Sequence, residues 1–187
     1  MKTYMIGLLV LCAFASCDNN ENKPEDSTEA AEESNDVKFN NDNIEKDADF
    51  AVKAADAGMF EVAAAELAIG RTANMDVKTF AASMQKDHAA INSELKALAR
   101  EKNITLPDSM SVDTRDRYND LAKKSGKDFD EAYVDLMVKD HKNAVDLFQE
   151  QADKGNEGEM KSWASAKLLT LQHHLSMAEE TQDKLKK

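Results

Sequence analysis

Apolar residues recur with the 3.6-residue period of an α-helix along most of this chain, and this periodicity constrains the fold more than any other feature. Four long amphipathic segments carry the pattern: 47–71, 75–102, 128–154 and 159–185. A shorter segment, 113–124, carries it more weakly. No segment alternates apolar and polar residues as a half-buried strand does. With only 6 Gly and 2 Pro in 187 residues, the composition also favours long helices.

The spacing of these segments predicts an all-α, ferritin-like four-helix bundle. Short turns join the first two helices and the last two, while residues 103–127 form a long crossover with a short extra helix between helices 2 and 3. One crossover between two helical hairpins is the ferritin-like connectivity. An up-and-down bundle remains an alternative, although it would need no connection of this length. Asn74 is placed to cap the second helix, and Gly126 is expected to end the short one.

The N-terminus reads as a bacterial lipoprotein leader. A positive start precedes an apolar run, Met5 to Ala15, that is too short for a membrane span of about 20 residues. Small residues then precede Cys17, which resembles the bacterial lipobox, in which the cysteine is acylated and becomes the first residue of the mature chain. We expect residues 1–16 to be a signal peptide and Cys17 to anchor the chain to a membrane in the bacterial cell envelope. An ordinary secretory cleavage near Ala15 is the alternative.

Residues 17–46 are expected to form a lipid-anchored, disordered acidic tether, which leaves 47–187 as the folded domain. Between positions 18 and 46 the chain has ten acidic residues, three lysines and few large apolar side chains. Such a composition buries too little apolar surface to offset the entropy lost on ordering. The whole chain carries a net charge of −12, which argues against nucleic acid as a partner because phosphate binding needs a basic surface. Protein partners cannot be assigned from the sequence.

Each long helix places an ionisable residue within its apolar stripe, near its middle. A buried imidazole or carboxylate without a partner costs several kcal/mol, so these groups must pair with one another, with water or with a metal. We predict a zinc, copper or iron site with Asp87 and Asp140 as hydrogen-bond acceptors that orient the imidazoles. The alternative is a hydrogen-bond network that only fixes the register of the helices. The predicted ligands are Glu61, His88, His141 and His174.

A short repeat links two of these histidines. Met84-Gln-Lys-Asp-His88 and Met137-Val-Lys-Asp-His141 agree at four of five positions, 53 residues apart. Either methionine could add a thioether ligand, which favours Cu(I), or could simply fill the core. The Glu-x-x-His pairs of di-iron proteins are absent, and no other motif indicates an enzyme. The sequence therefore predicts no catalytic residue.

The chain from about Asp47 to Lys184 resembles the bacterial envelope family called domain of unknown function 4142. The resemblance implies a ferritin-like fold and supplies no activity. Its members often carry signal or lipoprotein leaders. Besides Glu61 and His141, it rests on Phe80-Ala81-x-x-Met84-x-x-Asp87-His88, Leu106-Pro107, Phe129-Asp130-x-x-Tyr133, Leu147-Phe148 and His174-Leu175-x-x-Ala178.

Three functional hypotheses follow. In the first, the chain is an envelope-anchored domain that holds or senses a transition metal. In the second, it is a structural or stress-related interaction module whose polar layer only fixes helix register. In the third and least favoured, it is a metal-dependent oxidoreductase. Stoichiometric bound metal separates the first hypothesis from the second, and a redox-active metal would be needed for the third.

Overall fold

The computed structural model describes residues 26–39, 42–156 and 158–187, and within them every regular element is a helix. The predicted signal peptide and Cys17 lie outside the described residues. None of the helices in the described part combines the length and apolar character that a membrane span requires. The helices are α1 (Ser27–Lys38), α2 (Asp42–Arg71), α3 (Met75–Glu101), α4 (Val112–Ala122), α5 (Gly126–Lys154) and α6 (Gly158–Leu185).

Local sequence accounts for most helix ends. The Asn74 side chain accepts hydrogen bonds from the backbone N–H groups of Asp76 and Val77, so it caps α3 as predicted. Gly126 was expected to end the short helix, but α4 ends earlier, at Ala122. Gly126 instead begins α5 with a φ of 56°, a left-handed conformation that glycine adopts without steric cost.

The helices α2 and α5 lie side by side and run in opposite directions. At one end of the pair, the Gln151 amide donates to the Asp47 carboxylate over 2.6 Å. At the other end, the Arg71 guanidinium donates to the backbone carbonyl of Lys124 over 3.2 Å. These contacts join the start of α2 to the end of α5 and the end of α2 to the start of α5.

The helices α3 and α6 form the second antiparallel pair. Lys184 near the end of α6 forms an ion pair of 2.7 Å with Asp76 at the start of α3, and Lys102 after α3 pairs with Glu159 at the start of α6. Since α2 and α3 also form a hairpin, the connection from α3 to α5 must travel the length of the bundle, and α4 within it packs against α2 and α5. This is the predicted ferritin-like crossover.

Two apolar clusters fill the bundle, one towards each end. The first contains Phe60, Phe80, Met84, Leu121, Phe129, Tyr133 and Met137. The second contains Phe50, Leu95, Phe148, Met160 and Leu171, with Trp163 at its edge. Both repeat methionines are fully buried in the first cluster, which fits the expectation that they fill the core.

The structure differs from the predicted disordered tether over residues 27–38, which form the helix α1. This helix packs on α2, and hydrogen bonds join it to the connection after α3. The Asn35 side chain donates to the Thr105 carbonyl over 2.9 Å and accepts from the Thr105 N–H over 2.7 Å. Val112 N–H donates to Asp26 over 2.9 Å. Composition alone underestimated this segment because hydrogen bonds and the buried Ala31, rather than many apolar side chains, hold it.

Candidate metal centre

Four ionisable side chains meet in one layer between the two apolar clusters. Glu61, His88, His141 and His174 come from α2, α3, α5 and α6, and none is more than 4% exposed. Each lies on the apolar stripe of its helix near mid-length, and the antiparallel pairing brings these heights together. The sequence expectation that these residues share one buried layer therefore agrees with the structure.

The three imidazoles converge on a common point. His88 Nε2 lies 3.3 Å from His141 Nε2 and 3.2 Å from His174 Nδ1. One nitrogen from each ring falls within a single group whose atoms are all within 4.8 Å of one another. We call these three atoms the inner nitrogens and the other nitrogen of each ring the outer nitrogen.

Every outer nitrogen faces a carboxylate or carbonyl oxygen. Such an oxygen can accept a hydrogen bond but cannot donate one. His88 Nδ1 lies 2.7 Å from Glu61 Oε2, and His174 Nε2 lies 3.1 Å from Asp87 Oδ2. His141 Nδ1 lies 2.9 Å from the Met137 carbonyl of its own helix. Each outer nitrogen must therefore carry the proton and donate it. In neutral imidazoles this leaves three inner lone pairs facing one another with no hydrogen between them.

The spacing of the inner nitrogens suits a tetrahedral transition metal. Metal–nitrogen bonds of about 2.0–2.1 Å at tetrahedral angles place ligand nitrogens about 3.3–3.4 Å apart. The distances from His88 Nε2, 3.2 and 3.3 Å, are close to this value. Carboxylate or carbonyl acceptors on the outer nitrogens are the usual second layer around metal-bound histidines, and they fix the tautomer that binding requires. The residues present therefore fit zinc, copper or iron.

Protonation offers the metal-free protein another way to relieve the three lone pairs. Burial opposes a charge on His88, but the neighbouring Glu61 carboxylate outweighs it and raises the His88 pKa. Burial likewise opposes the charge on Glu61, while His88 lowers the Glu61 pKa below its usual range. Burial lowers the pKa of His141 and brings that of His174 to about 4. The favoured metal-free state is thus an ion pair of Glu61 with His88, beside two neutral histidines.

Glu61 was predicted to be a metal ligand, and its two carboxylate oxygens lie in different surroundings. One of its oxygens, Oε2, accepts from the outer nitrogen of His88. The other, Oε1, lies 3.8 Å from the inner nitrogen of His141 and is buried with no hydrogen-bond partner among the described residues. The carboxylate therefore orients His88 with one oxygen and presents the other towards the centre.

The two aspartates predicted to orient imidazoles have separate environments. Asp87 accepts from His174, which belongs to a different helix from its sequence neighbour His88. Asp140 instead pairs with Arg117 of α4 through contacts of 2.5 and 2.6 Å, and His141 Nδ1 donates to the Met137 carbonyl. The orienting role predicted for Asp140 is thus taken by a backbone group. No sequence signal marks Arg117, because its partner is set by how the crossover packs.

Comparison with known proteins agrees with the fold. A crystal structure of a DUF305 protein from Streptomyces coelicolor, described as secreted, superposes with a TM-score of 0.64 at 16% sequence identity, covering 75% of this chain and 92% of that one. No curated protein sequence matches the chain. The profile of the family described as "Domain of unknown function (DUF4142)" matches residues 29–181, which include most of α1 as well as the four-helix bundle. The chain therefore belongs to the DUF4142 family.

Proposed function

We propose that this protein binds one transition-metal ion, zinc, copper or iron, through His88, His141 and His174. The observation that carries the proposal is the direction of the three outer nitrogens, each aimed at an acceptor. That arrangement prepares three unprotonated nitrogens at metal-ligand spacing in a buried site. The carboxylates of Glu61 and Asp87 would balance the charge of a divalent ion.

A second candidate function is a purely structural layer. The raised His88 pKa favours an imidazolium whose Nε2–H can be shared between His141 Nε2 and His174 Nδ1. Such a network would satisfy the buried groups and hold the register of the four helices without a metal. In that case the protein would act through a partner that its surface recognises.

Elemental analysis and thermal unfolding distinguish the two candidates. We expect about one metal per chain in protein purified without a metal-affinity tag. Chelation should lower the melting temperature, because a ligand at 100 times its Kd stabilises the folded state by about 2.7 kcal/mol. Protein that holds no metal, and whose melting temperature ignores added zinc, copper and iron, would leave only the structural candidate.

Neighbouring histidines on α6 provide a matched pair of variants for this test. His174 is fully buried in the layer, whereas His173 is exposed. His174→Ala should abolish both metal binding and the chelator-sensitive part of the stability. His173→Ala should keep both, since its ring faces solvent. Equal metal content in the two variants would exclude the buried layer as the binding site.

We also propose that the chain is a lipoprotein of the bacterial cell envelope, anchored to a membrane through Cys17. The sequence pattern of the first 17 residues supports this proposal, and the acidic segment after it would separate the bundle from the lipid. Metabolic labelling with a palmitate analogue and membrane fractionation test it. Cys17→Ser should lose the label and the membrane association, while Cys12→Ser, in the part predicted to be removed, should keep both.

A further inference from the structure

A cavity of about 160 Å³ leads from the side of the bundle towards the histidine layer. Residues of α2, α3 and α5 form most of its wall, and Arg117 of α4 and Leu171 of α6 complete it. Glu61 and His88 line its inner part, whereas Asn143 of α5 is exposed at the surface. The cavity therefore extends from the surface to two residues of the histidine layer, Glu61 and His88.

Two polar atoms in the cavity wall need a hydrogen-bond donor. Glu61 Oε1 and Asn92 Oδ1 are both buried, and neither has a partner among the described residues. Buried polar atoms without a partner are uncommon in native proteins, and each calls for a specific explanation. Because both atoms line the same cavity, one molecule that brings hydrogen atoms could satisfy both.

The backbone of α2 is shaped to admit the Asn92 side chain. A Cβ atom at Gly58 would lie 2.0 Å from Asn92 Oδ1, so no other residue fits here without displacing the amide. Glycine inside a long helix is destabilising relative to alanine. Its presence at this position keeps an unpaired acceptor in the cavity wall rather than filling the space.

The cavity disfavours anions. Two carboxylates, Glu61 and Asp140, line it against a single guanidinium, that of Arg117. The Arg117 charge is already engaged, because the group pairs with Asp140 and lies 4.6 Å from the centre of the Phe60 ring. A negative ligand would therefore lie close to the Glu61 carboxylate at the inner end, which repels it.

We propose that this cavity delivers a small neutral molecule to the metal, one that has a lone pair for the ion and an N–H or O–H group for Glu61 Oε1 and Asn92 Oδ1. The inference rests on the proposed metal site. Glu61 and His88 belong both to the cavity wall and to the histidine layer, and Glu61 Oε1 lies 3.8 Å from the inner nitrogen of His141. A metal held by three histidines keeps a fourth coordination position for such a ligand. The bound metal would then carry three histidine ligands and one exchangeable ligand that enters through the cavity.

Visible spectroscopy of the full chain loaded with cobalt(II) tests this inference, with three probes. Imidazole has both a lone pair and an N–H, 1-methylimidazole has the lone pair alone, and azide is an anion. We expect imidazole to shift the cobalt absorption bands saturably. It should bind about tenfold more tightly than 1-methylimidazole, the effect of one hydrogen bond. Azide should bind more weakly than imidazole.

Two variants address the cavity itself. Gly58→Leu should remove the imidazole response by filling the cavity, and Asn92→Leu should remove the preference for imidazole over 1-methylimidazole while cobalt still binds. The control is Gly70→Ala on the same helix, where an added Cβ has nothing within 4 Å. It should leave the cobalt spectrum and the imidazole response as in the parent protein.

The outcomes separate this inference from the proposed function. Cobalt bound at one ion per chain with a spectrum indifferent to imidazole would overturn the ligand cavity and leave the metal site standing. Equal affinities for imidazole and 1-methylimidazole, or tighter binding of azide, would also overturn it. If no cobalt binds, both the proposed function and the ligand cavity are wrong.

Discussion

The Met-x-Lys-Asp-His sequence occurs once in α3 and once in α5, and its two copies behave differently. In α3, Asp87 accepts from His174, and His88 donates to Glu61. In α5, Asp140 pairs with Arg117, while the His141 ring turns its outer nitrogen to a backbone carbonyl. Only the inner nitrogens of the two histidines play equivalent parts.

The difference arises from what each helix packs against. The helix α3 lies beside α2 and α6, which offer Glu61 and His174 to its Asp-His pair. The helix α5 is partly covered by α4, which offers Arg117 to Asp140. The same local sequence thus supplies a candidate metal ligand and an orienting group in one copy, but a candidate metal ligand and an ion-pair partner in the other. Four comparisons between variants can break or sharpen this contrast.

The largest difference should appear when each histidine is removed from metal-free protein. His88→Ala leaves the buried Glu61 carboxylate without its cationic partner, which costs about 3–5 kcal/mol. His141→Ala removes a hydrogen bond to a carbonyl that belongs to its own helix, which costs about 1–3 kcal/mol. Urea unfolding with chelator present measures both. Equal losses would show that Glu61 does not depend on His88.

Metal affinity should separate the two aspartates. Asp87→Ala removes the acceptor that orients His174, and loss of such a group typically weakens metal binding about 10–100-fold. Asp140→Ala removes the partner of Arg117 and should leave the metal Kd within error of the parent value. Competition with a chromogenic chelator measures the two constants. A weaker Kd for Asp140→Ala than for Asp87→Ala would reverse the assignment of these aspartates.

The two histidines should also respond to pH in opposite directions. Glu61 raises the His88 pKa above 6.5, so the stability that His88 adds is complete below pH 6.5 and is lost as pH rises through the raised value. Burial lowers the His141 pKa below 6.5, so its contribution is present above pH 6.5 and is lost as pH falls through the lowered value.

In chelated protein, His88→Ala should therefore lose more unfolding free energy at pH 6 than at pH 9. His141→Ala should lose less at pH 5 than at pH 8. Chemical unfolding at each pH, with the parent protein beside both variants, provides the measurement. Parallel pH profiles for the two variants would mean that Glu61 and His88 do not form the ion pair.

The smallest difference concerns the residue four positions after each histidine, Asn92 in α3 and Val145 in α5. Asn92 packs against Gly58, where an added Cβ atom would lie 2.0 Å from the amide oxygen. Gly70→Ala should raise stability by about 0.5–1 kcal/mol through helix propensity. Gly58→Ala should gain less or lose stability, because Asn92 must move. Thermal unfolding compares them, and equal gains would mean that the amide moves freely.

Periodicity predicted most of the fold because the buried face of a long helix appears in the sequence as apolar residues at the helical period. The four long helices begin and end within a few residues of the predicted limits, with α2 extended back to Asp42. The membership of the polar layer followed from the same pattern, since Glu61, His88, His141 and His174 interrupt apolar stripes at mid-height. The helix α1 was missed because its stability comes from contacts with residues about 70 positions away, such as Thr105.

The amino-acid sequence by itself determined which residues would be helical and which ionisable groups would be buried, because both depend on spacing along one chain. The tertiary structure decided which nitrogen of each ring faces the centre. It also decided that Asp87 accepts a hydrogen bond from His174, and that Asp140 pairs with Arg117 rather than with an imidazole. These choices depend on directions and distances between side chains of different helices. Such relations arise only when the helices pack, so no period or motif within a single segment contains them.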